Sequence, residues 1–199
     1  MRKLTYFIAC SLDGFIARED GSIDDFTFDG PHVADILEEF PETIPTHLRQ
    51  YFDAQYSNTR FDTVLMGRAT YETGLDAGFT SPYSHLDQYV FSTTMSGSPD
   101  PNVTLISNDV VSHVQSLKRQ AGLDIWLCGG GQLASALFAE IDNLVIKSNP
   151  ILLGSGRPLF AHTIAPKASL SPVRHKSYVN GFTLSEFTIR PLRHHNSAE

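Results

Sequence analysis

The chain has 199 residues, enough for one good-sized domain and short for two. Its 22 acidic and 15 basic residues leave a formal charge of −7, which argues against a nucleic-acid surface built on clustered Lys and Arg. Hydrophobic residues at 41% exclude a disordered chain, and no run reaches the roughly 18 apolar residues needed to span a bilayer.

The N-terminus is basic and then apolar, so a signal peptide has to be considered. The apolar run stops at Ser11-Leu12-Asp13-Gly14 without a small-x-small cleavage pattern, which makes Lys3–Ala9 a strand. A short helix is expected over Val33–Phe40, after Pro31. Leu48, Tyr51, Phe52, Gln55 and Tyr56 mark a second helix that Thr46 can cap. Phe61–Met66, Gln88–Ser92 and Val103–Ile106 read as buried strands. Val110, Val114, Leu117 and Ala121 keep helical spacing, with Asn108 as N-cap and Gly122 just past the end. Ile125–Cys128 is a further strand, followed by a helix on Leu133, Leu137, Phe138 and Ile141. Leu144–Ser148 is the next strand. Asn180-Gly181 then joins Val173–Val179 to Phe182–Ile189 as a hairpin with positive φ at both turn positions. The expected fold is α/β, with about eight mostly parallel strands ending in an antiparallel pair. No repeat or linker divides it, so 1–190 is read as one domain and 191–199 as a polar tail. Cys10 and Cys128 lie in apolar runs and form no Cys-x-x-Cys, as in a reduced, cytoplasmic protein.

Four segments could carry chemistry. Gly129-Gly130-Gly131-Gln132-Leu133-Ala134 follows a strand and opens a helix. Its glycines would let the backbone approach a phosphate, and the helix start offers free N–H groups. It is not the usual dinucleotide fingerprint, which belongs on a first strand with an acid about 20 residues on; Asp142 is misplaced for that. A tight strand-to-helix turn is the plainer reading. In Met66-Gly67-Arg68-Ala69-Thr70-Tyr71-Glu72, Arg68 and Thr70 stand where a sheet edge could hold a 2′-phosphate, or Arg68 is a surface residue in a salt bridge. Ser92 and Thr93 offer hydroxyls at the same edge, or ordinary turn chemistry. Ser11-Leu12-Asp13-Gly14-Phe15-Ile16-Ala17 could close over a ligand. Asp13 is a candidate proton donor there, or a capping aspartate in an Asp-Gly turn. There is no HExxH or GxSxG, the eight histidines are scattered, and Glu19–Asp25 lacks calcium-loop spacing.

Taken in order, Ser-x-Asp-Gly-x-Ile-Ala, Met-Gly-Arg-x-Thr-Tyr-Glu and strand-Gly-Gly-Gly-helix resemble the dihydrofolate reductase superfamily. The stretch from Asp142-Asn143-Leu144-Val145 to Pro150-Ile151-Leu152-Leu153-Gly154-Ser155-Gly156-Arg157-Pro158-Leu159-Phe160 is similar to the reductase domain of the riboflavin-biosynthesis deaminase-reductases and their stand-alone relatives. The resemblance runs from about Lys3 to Arg190. It implies a three-layer αβα sandwich, an NADPH site, a small heterocyclic or ribosylamino substrate, and a homodimer. Carried over by motif, Gly67, Arg68, Thr70, Ser92 and Thr93 would meet the adenosine phosphates. Gly129, Gly130, Gly131, Gln132 and Leu133 would hold the pyrophosphate, with a cis peptide at Gly129–Gly130. Cys10, Ile16 and Ala17 would border the nicotinamide. A folate reductase carries a carboxylate in a Pro-x-acid-Leu context at its first long helix; here Pro45-Thr46-His47-Leu48 puts His47 in that place, as a possible proton donor. The riboflavin-type pattern usually has a basic residue at Phe15 and Asp-Glu at Asp142-Asn143. The deaminase motifs His-x-Glu and Pro-Cys-x-x-Cys are absent. The reading is therefore an NADPH-dependent reductase, with dihydrofolate reduction and an NADPH-binding module without turnover as its rivals.

Overall fold

The computed structural model describes residues 1–52, 57–162 and 167–192. The strands are β1 (Leu4–Ser11), β2 (Phe15–Ala17), β3 (Phe61–Gly67), β4 (Asp87–Phe91), β5 (Val103–Ile106), β6 (Asp124–Gly129), β7 (Asn143–Asn149), β8 (Arg157–Pro158), β9 (Ala168–Ser177) and β10 (Thr183–Pro191). The helices are α1 (His32–Glu39), α2 (Thr46–Arg49), α3 (Arg68–Asp76), α4 (Val110–Arg119) and α5 (Gly131–Ala136). Eight strands form one sheet in the order β5-β4-β3-β6-β1-β7-β10-β9. All neighbours are parallel except β7–β10 and β10–β9, so the expected mixed sheet is the one found.

Strand alternation sends each strand's apolar residues to two separate cores. Leu4, Tyr6, Leu65, Ile125 and Leu127 pack against Val114 and Leu117 of α4 and Leu133 and Ala134 of α5. Phe7, Val64, Met66 and Trp126 face the other way, toward Phe40 at the end of α1 and Tyr71 of α3. Both faces being covered explains why these strands read as continuous apolar runs.

The helices differ from expectation in instructive ways. α3 carries no visible stripe because Tyr71 is its one buried residue. Thr46 does not cap α2: Pro45 precedes the helix, and Thr46 instead accepts a bond from Ser84 N at 2.8 Å. That helix tightens into a 3₁₀ turn over Gln50–Phe52, and the expected Gln55 and Tyr56 fall outside the described residues. α4 starts from Asp109, in the left-handed region at φ 48°, rather than from Asn108, and closes at Gln120, not at Gly122. The expected helix to Ile141 splits after Ala136 into α5 and a 3₁₀ turn over Phe138–Glu140, while Leu133, Leu137 and Ile141 stay in one core.

The hairpin turn is also a correction. Gly181 has φ +82°, but Asn180 does not have positive φ. Gly181 N donates to Tyr178 O at 2.9 Å and Tyr178 N to Phe182 O at 3.0 Å, a three-residue loop with glycine at its left-handed position. A Cβ on Gly181 would also press on Pro150 at 3.1 Å. Gly181→Ala is therefore expected to cost about 1–3 kcal/mol in urea unfolding, and Val179→Ala, whose side chain is fully exposed, less than about 0.5 kcal/mol. Equal midpoints for the two variants would contradict this turn.

Candidate functional site

From β1 the chain passes through α1 over one face to β3; from β6 it passes through α5 over the other face to β7. β1 and β6 are parallel neighbours, with Tyr6 opposite Leu127. Adjacent strands whose connections leave in opposite directions open a crevice beyond their carboxyl ends, where ligands of such sheets bind. The glycine turn sits on that edge.

Gly129 has φ +142°, and the Gly129–Gly130 peptide is cis, as the resemblance implied. Gly130 supplies no capping side chain, so the first N–H groups of α5 have no intrahelical partner. A Cβ on Gly129 or Gly130 would stand 3.5 or 3.7 Å from Thr70 Oγ1 and fill the gap between the turn and that hydroxyl. Thr70 Oγ1 bonds to no described residue. Ile16 Cδ1 lies 3.8 Å from the same point on Gly130, and Gly67, at the end of β3, stands against Gly129 O and Gly130 N. The structure thus gathers Gly67, Thr70, Ile16, Gly129 and Gly130. Gly131 serves packing: a Cβ there would be 2.2 Å from Pro158 O, and Gly131 O accepts from Ala161 N at 3.2 Å.

The other candidates are placed differently. Arg68 opens α3 half-exposed, paired with Glu72 at 2.9 Å. Ser92 Oγ accepts from Thr94 N at 3.2 Å and Met95 N at 3.1 Å, turn chemistry that occupies it. Thr93 and Gln132 are exposed, and Leu133 is core. Cys10 and Ala17 are buried, and burial pushes the Cys10 thiol up to about 11. Asp13 accepts bonds from Ser11 Oγ at 2.5 Å, Gly154 N at 2.7 Å and Leu153 N at 3.1 Å. The Ser11 bond foremost, with those amides, holds its carboxyl below the usual range. A carboxylate so braced is a poor proton donor at neutral pH. It ties the loop after β1 to the loop after β7, as do the β2–β8 pair and Leu159 N to Gly14 O at 2.9 Å.

His47 is not gathered with the glycine turn. It stacks on Phe79 (3.7 Å, 6°), where α3 has already run back from the carboxyl edge, and its Nδ1 is shielded without a hydrogen-bond partner among the described residues. The helix that begins at the crevice is α1, after Pro31. His32 stacks on Phe182 at 3.8 Å, beside the end of β7, and burial lowers its pKa. The acid near the start of α1, Asp35, pairs with Lys176 and accepts from Tyr178 Oη. Asp142, the acid misplaced for a dinucleotide fingerprint, accepts from Leu4 N at 2.7 Å at the opposite edge.

A cluster that the motifs missed lies at the strand ends on the α1 side. Phe7, Trp126 and Val145 are buried in that face, but Ala9, Cys128 and Lys147 beside and beyond them regain solvent access. Lys147, opposite Ala9, lays its Nζ 4.4 Å from the centre of the Phe7 ring. Tyr83 lies beside Cys128. Desolvation lowers the Lys147 ammonium to about 8 and pushes the Cys128 thiol up to about 11. The signal available in the sequence was a lysine inside the apolar run Leu144-Val145-Ile146-Lys147-Ser148.

The family described as the RibD C-terminal domain matches residues 2–184. The chain belongs to that family. The uncharacterized protein YwjB of Bacillus subtilis strain 168 is 35% identical over 161 residues, 80% of this chain and 83% of YwjB. The Thermotoga maritima diaminohydroxyphosphoribosylaminopyrimidine deaminase/5-amino-6-(5-phosphoribosylamino)uracil reductase superposes with a TM-score of 0.64 at 15% identity, over 96% of this chain and 57% of that one. Enterococcus faecalis dihydrofolate reductase, complexed with NADP(H), superposes at 0.60 and 15% identity, over 94% and 96% of the chains. The RibD C-terminal fold of this chain is therefore dihydrofolate reductase-like.

Two outcomes are expected at this edge. Gly131→Ala, which forces Pro158 away, should lower stability by about 1–3 kcal/mol, while Gly97→Ala, with open space around it, should not. The Leu153 and Gly154 amides should lose hydrogen-exchange protection in Asp13→Ala. Because the folded-state pKa of Asp13 is depressed, its brace holds above the ordinary carboxylate range and is lost as pH falls through the lowered value. Unchanged protection in the variant would remove Asp13 from the brace.

Proposed function

We propose that the chain is an NADPH-dependent reductase acting on a C=N or C=O bond of a small heterocyclic or ribosylamino compound. The observation that supports this most is one crevice with two unlike sides. On one side stand the uncapped amides of α5 and the unengaged Thr70 hydroxyl, suited to a pyrophosphate. On the other stand Lys147, Cys128 and Tyr83, partly open to solvent at the strand ends.

NADPH, when bound, supplies the hydride. The protein's residues bind and orient. The backbone at Gly129–Gln132 and Thr70 hold the phosphates, and Cys10, Ile16 and Ala17 border the ring that delivers the hydride. Arg68 leaves Glu72 for the 2′-phosphate, an exchange made easy because their pair is exposed and worth little. The stitched loops 11–17 and 150–161 keep water from the reacting atoms. Dihydrofolate reduction is disfavoured, since a folate pocket presents a carboxylate and this one presents Lys147, with Asp35 already paired.

Calorimetric titration of NADPH and NADH tests the reading. NADPH is expected to bind in the micromolar range and NADH more weakly. Arg68→Ala should lose about 1.5–3 kcal/mol toward NADPH, roughly 10- to 150-fold, and little toward NADH. Absence of binding by either nucleotide would refute the reductase reading; an intact NADPH preference in the variant would remove Arg68 from the site.

A further inference from the structure

Lys147 is a half-buried cation with no anion beside it among the described residues. Its ammonium makes no ion pair or hydrogen bond with any described residue and lies over the face of Phe7 at 4.4 Å. The titratable groups near it are Cys128 on β6 and His32 from the start of α1, with Tyr83, from the segment before β4, beside Cys128. At neutral pH all three are uncharged: burial raises the thiol and the phenol and lowers the imidazole. The pocket floor therefore carries a single positive charge. A desolvated ammonium left unpaired is costly, and an aromatic face offsets only part of that cost. The same position is open to the crevice, because Ala9, Cys128 and Lys147 keep solvent access where the residues behind them do not.

We propose that Lys147 sets the specificity of this pocket by pairing with one anionic oxygen on a small, flat heterocycle. The proposal rests on the crevice being the substrate site of the reductase reading, and it names the charge that substrate carries there. One lysine balances one charge. A phosphate dianion calls for several donors, and the neighbouring groups supply just a thiol and a phenol. Tyr83, partly open to solvent, is the aromatic side chain able to meet a flat ring here, with the buried Trp126 ring 4.9 Å behind it.

Trp126 is the sole tryptophan of the chain, so its emission reports occupancy of this pocket directly. The probes are orotate, a pyrimidinedione carboxylate, and uracil, its neutral parent, each titrated with and without NADPH. Orotate is expected to bind at least about 10-fold tighter than uracil at pH 7. That advantage should fall between pH 7 and 8.5, where uracil stays neutral, as the ammonium loses its proton near pH 8, since Cys128, Tyr83 and His32 do not titrate in that window. Lys147→Met keeps the stem and removes a buried charge, a change that buried sites tolerate; it should bind the two probes equally while NADPH binds as in the wild type. Orotate binding no tighter than uracil in the wild type, or an unchanged orotate preference in Lys147→Met, would overturn the proposal. Loss of NADPH binding alongside an intact, lysine-dependent orotate preference would sink the reductase reading and leave the role of Lys147 standing.

Discussion

The parallel pairing of β1 with β6 places side by side two strands that are far apart in sequence and whose chains leave in opposite directions. Everything at the carboxyl edge follows from that arrangement. α1 covers one face and α5 the other, so neither helix can close the gap above the strand ends. The two sides of the gap then acquire different chemistry. The α5 side offers backbone amides and glycines, which suit phosphate. The α1 side offers a lysine, a thiol and a phenol over aromatic rings, which suits a ring carrying charge.

The rim depends on backbone contacts that only glycine permits. Gly131 lies against Pro158 O, and Gly156 lies so close to Ala17 that a Cβ would come within 2.3 Å of its carbonyl. Tyr6 Oη reaches Leu159 O at 3.1 Å from inside the sheet, and Asp13 adds its two amide bonds from above. The loop after β1 and the loop after β7 are thereby one layer rather than two. That layer links the glycine turn to both loops, so a change in one should be felt by the others.

The strands and the glycine turn were readable from sequence because they are local. An apolar run bounded by turn residues specifies a buried strand by itself, and three glycines after such a strand specify a close backbone approach. The cluster at Lys147 was not readable, because Tyr83, Cys128 and Lys147 come from three segments that meet only across β6, β1 and β7. The two proline-led helix starts, Pro31 and Pro45, look alike in sequence. Only the contact of His32 with Phe182 puts α1 at the crevice, and only the stacking of His47 on Phe79 puts α2 away from it. Arg68, Ser92 and Asp13 each carried two readings. The structure gives all three a partner: Glu72, the Thr94 and Met95 amides, and, across the chain, the Leu153–Gly154 amides. For Arg68 that partner is exposed and exchangeable, whereas the buried Ser92 is held within its own turn.

A crystal structure of the protein grown with NADPH tests the central claim, that the β6–β1 crevice is a cofactor site, most directly. The account predicts the pyrophosphate on the backbone of Gly129–Gln132 within hydrogen-bond distance of Thr70 Oγ1, the nicotinamide beside Cys10 and Ile16, and its reactive face turned toward the pocket of Lys147. Nucleotide density elsewhere on the molecule, with the crevice filled by its own side chains, would contradict it.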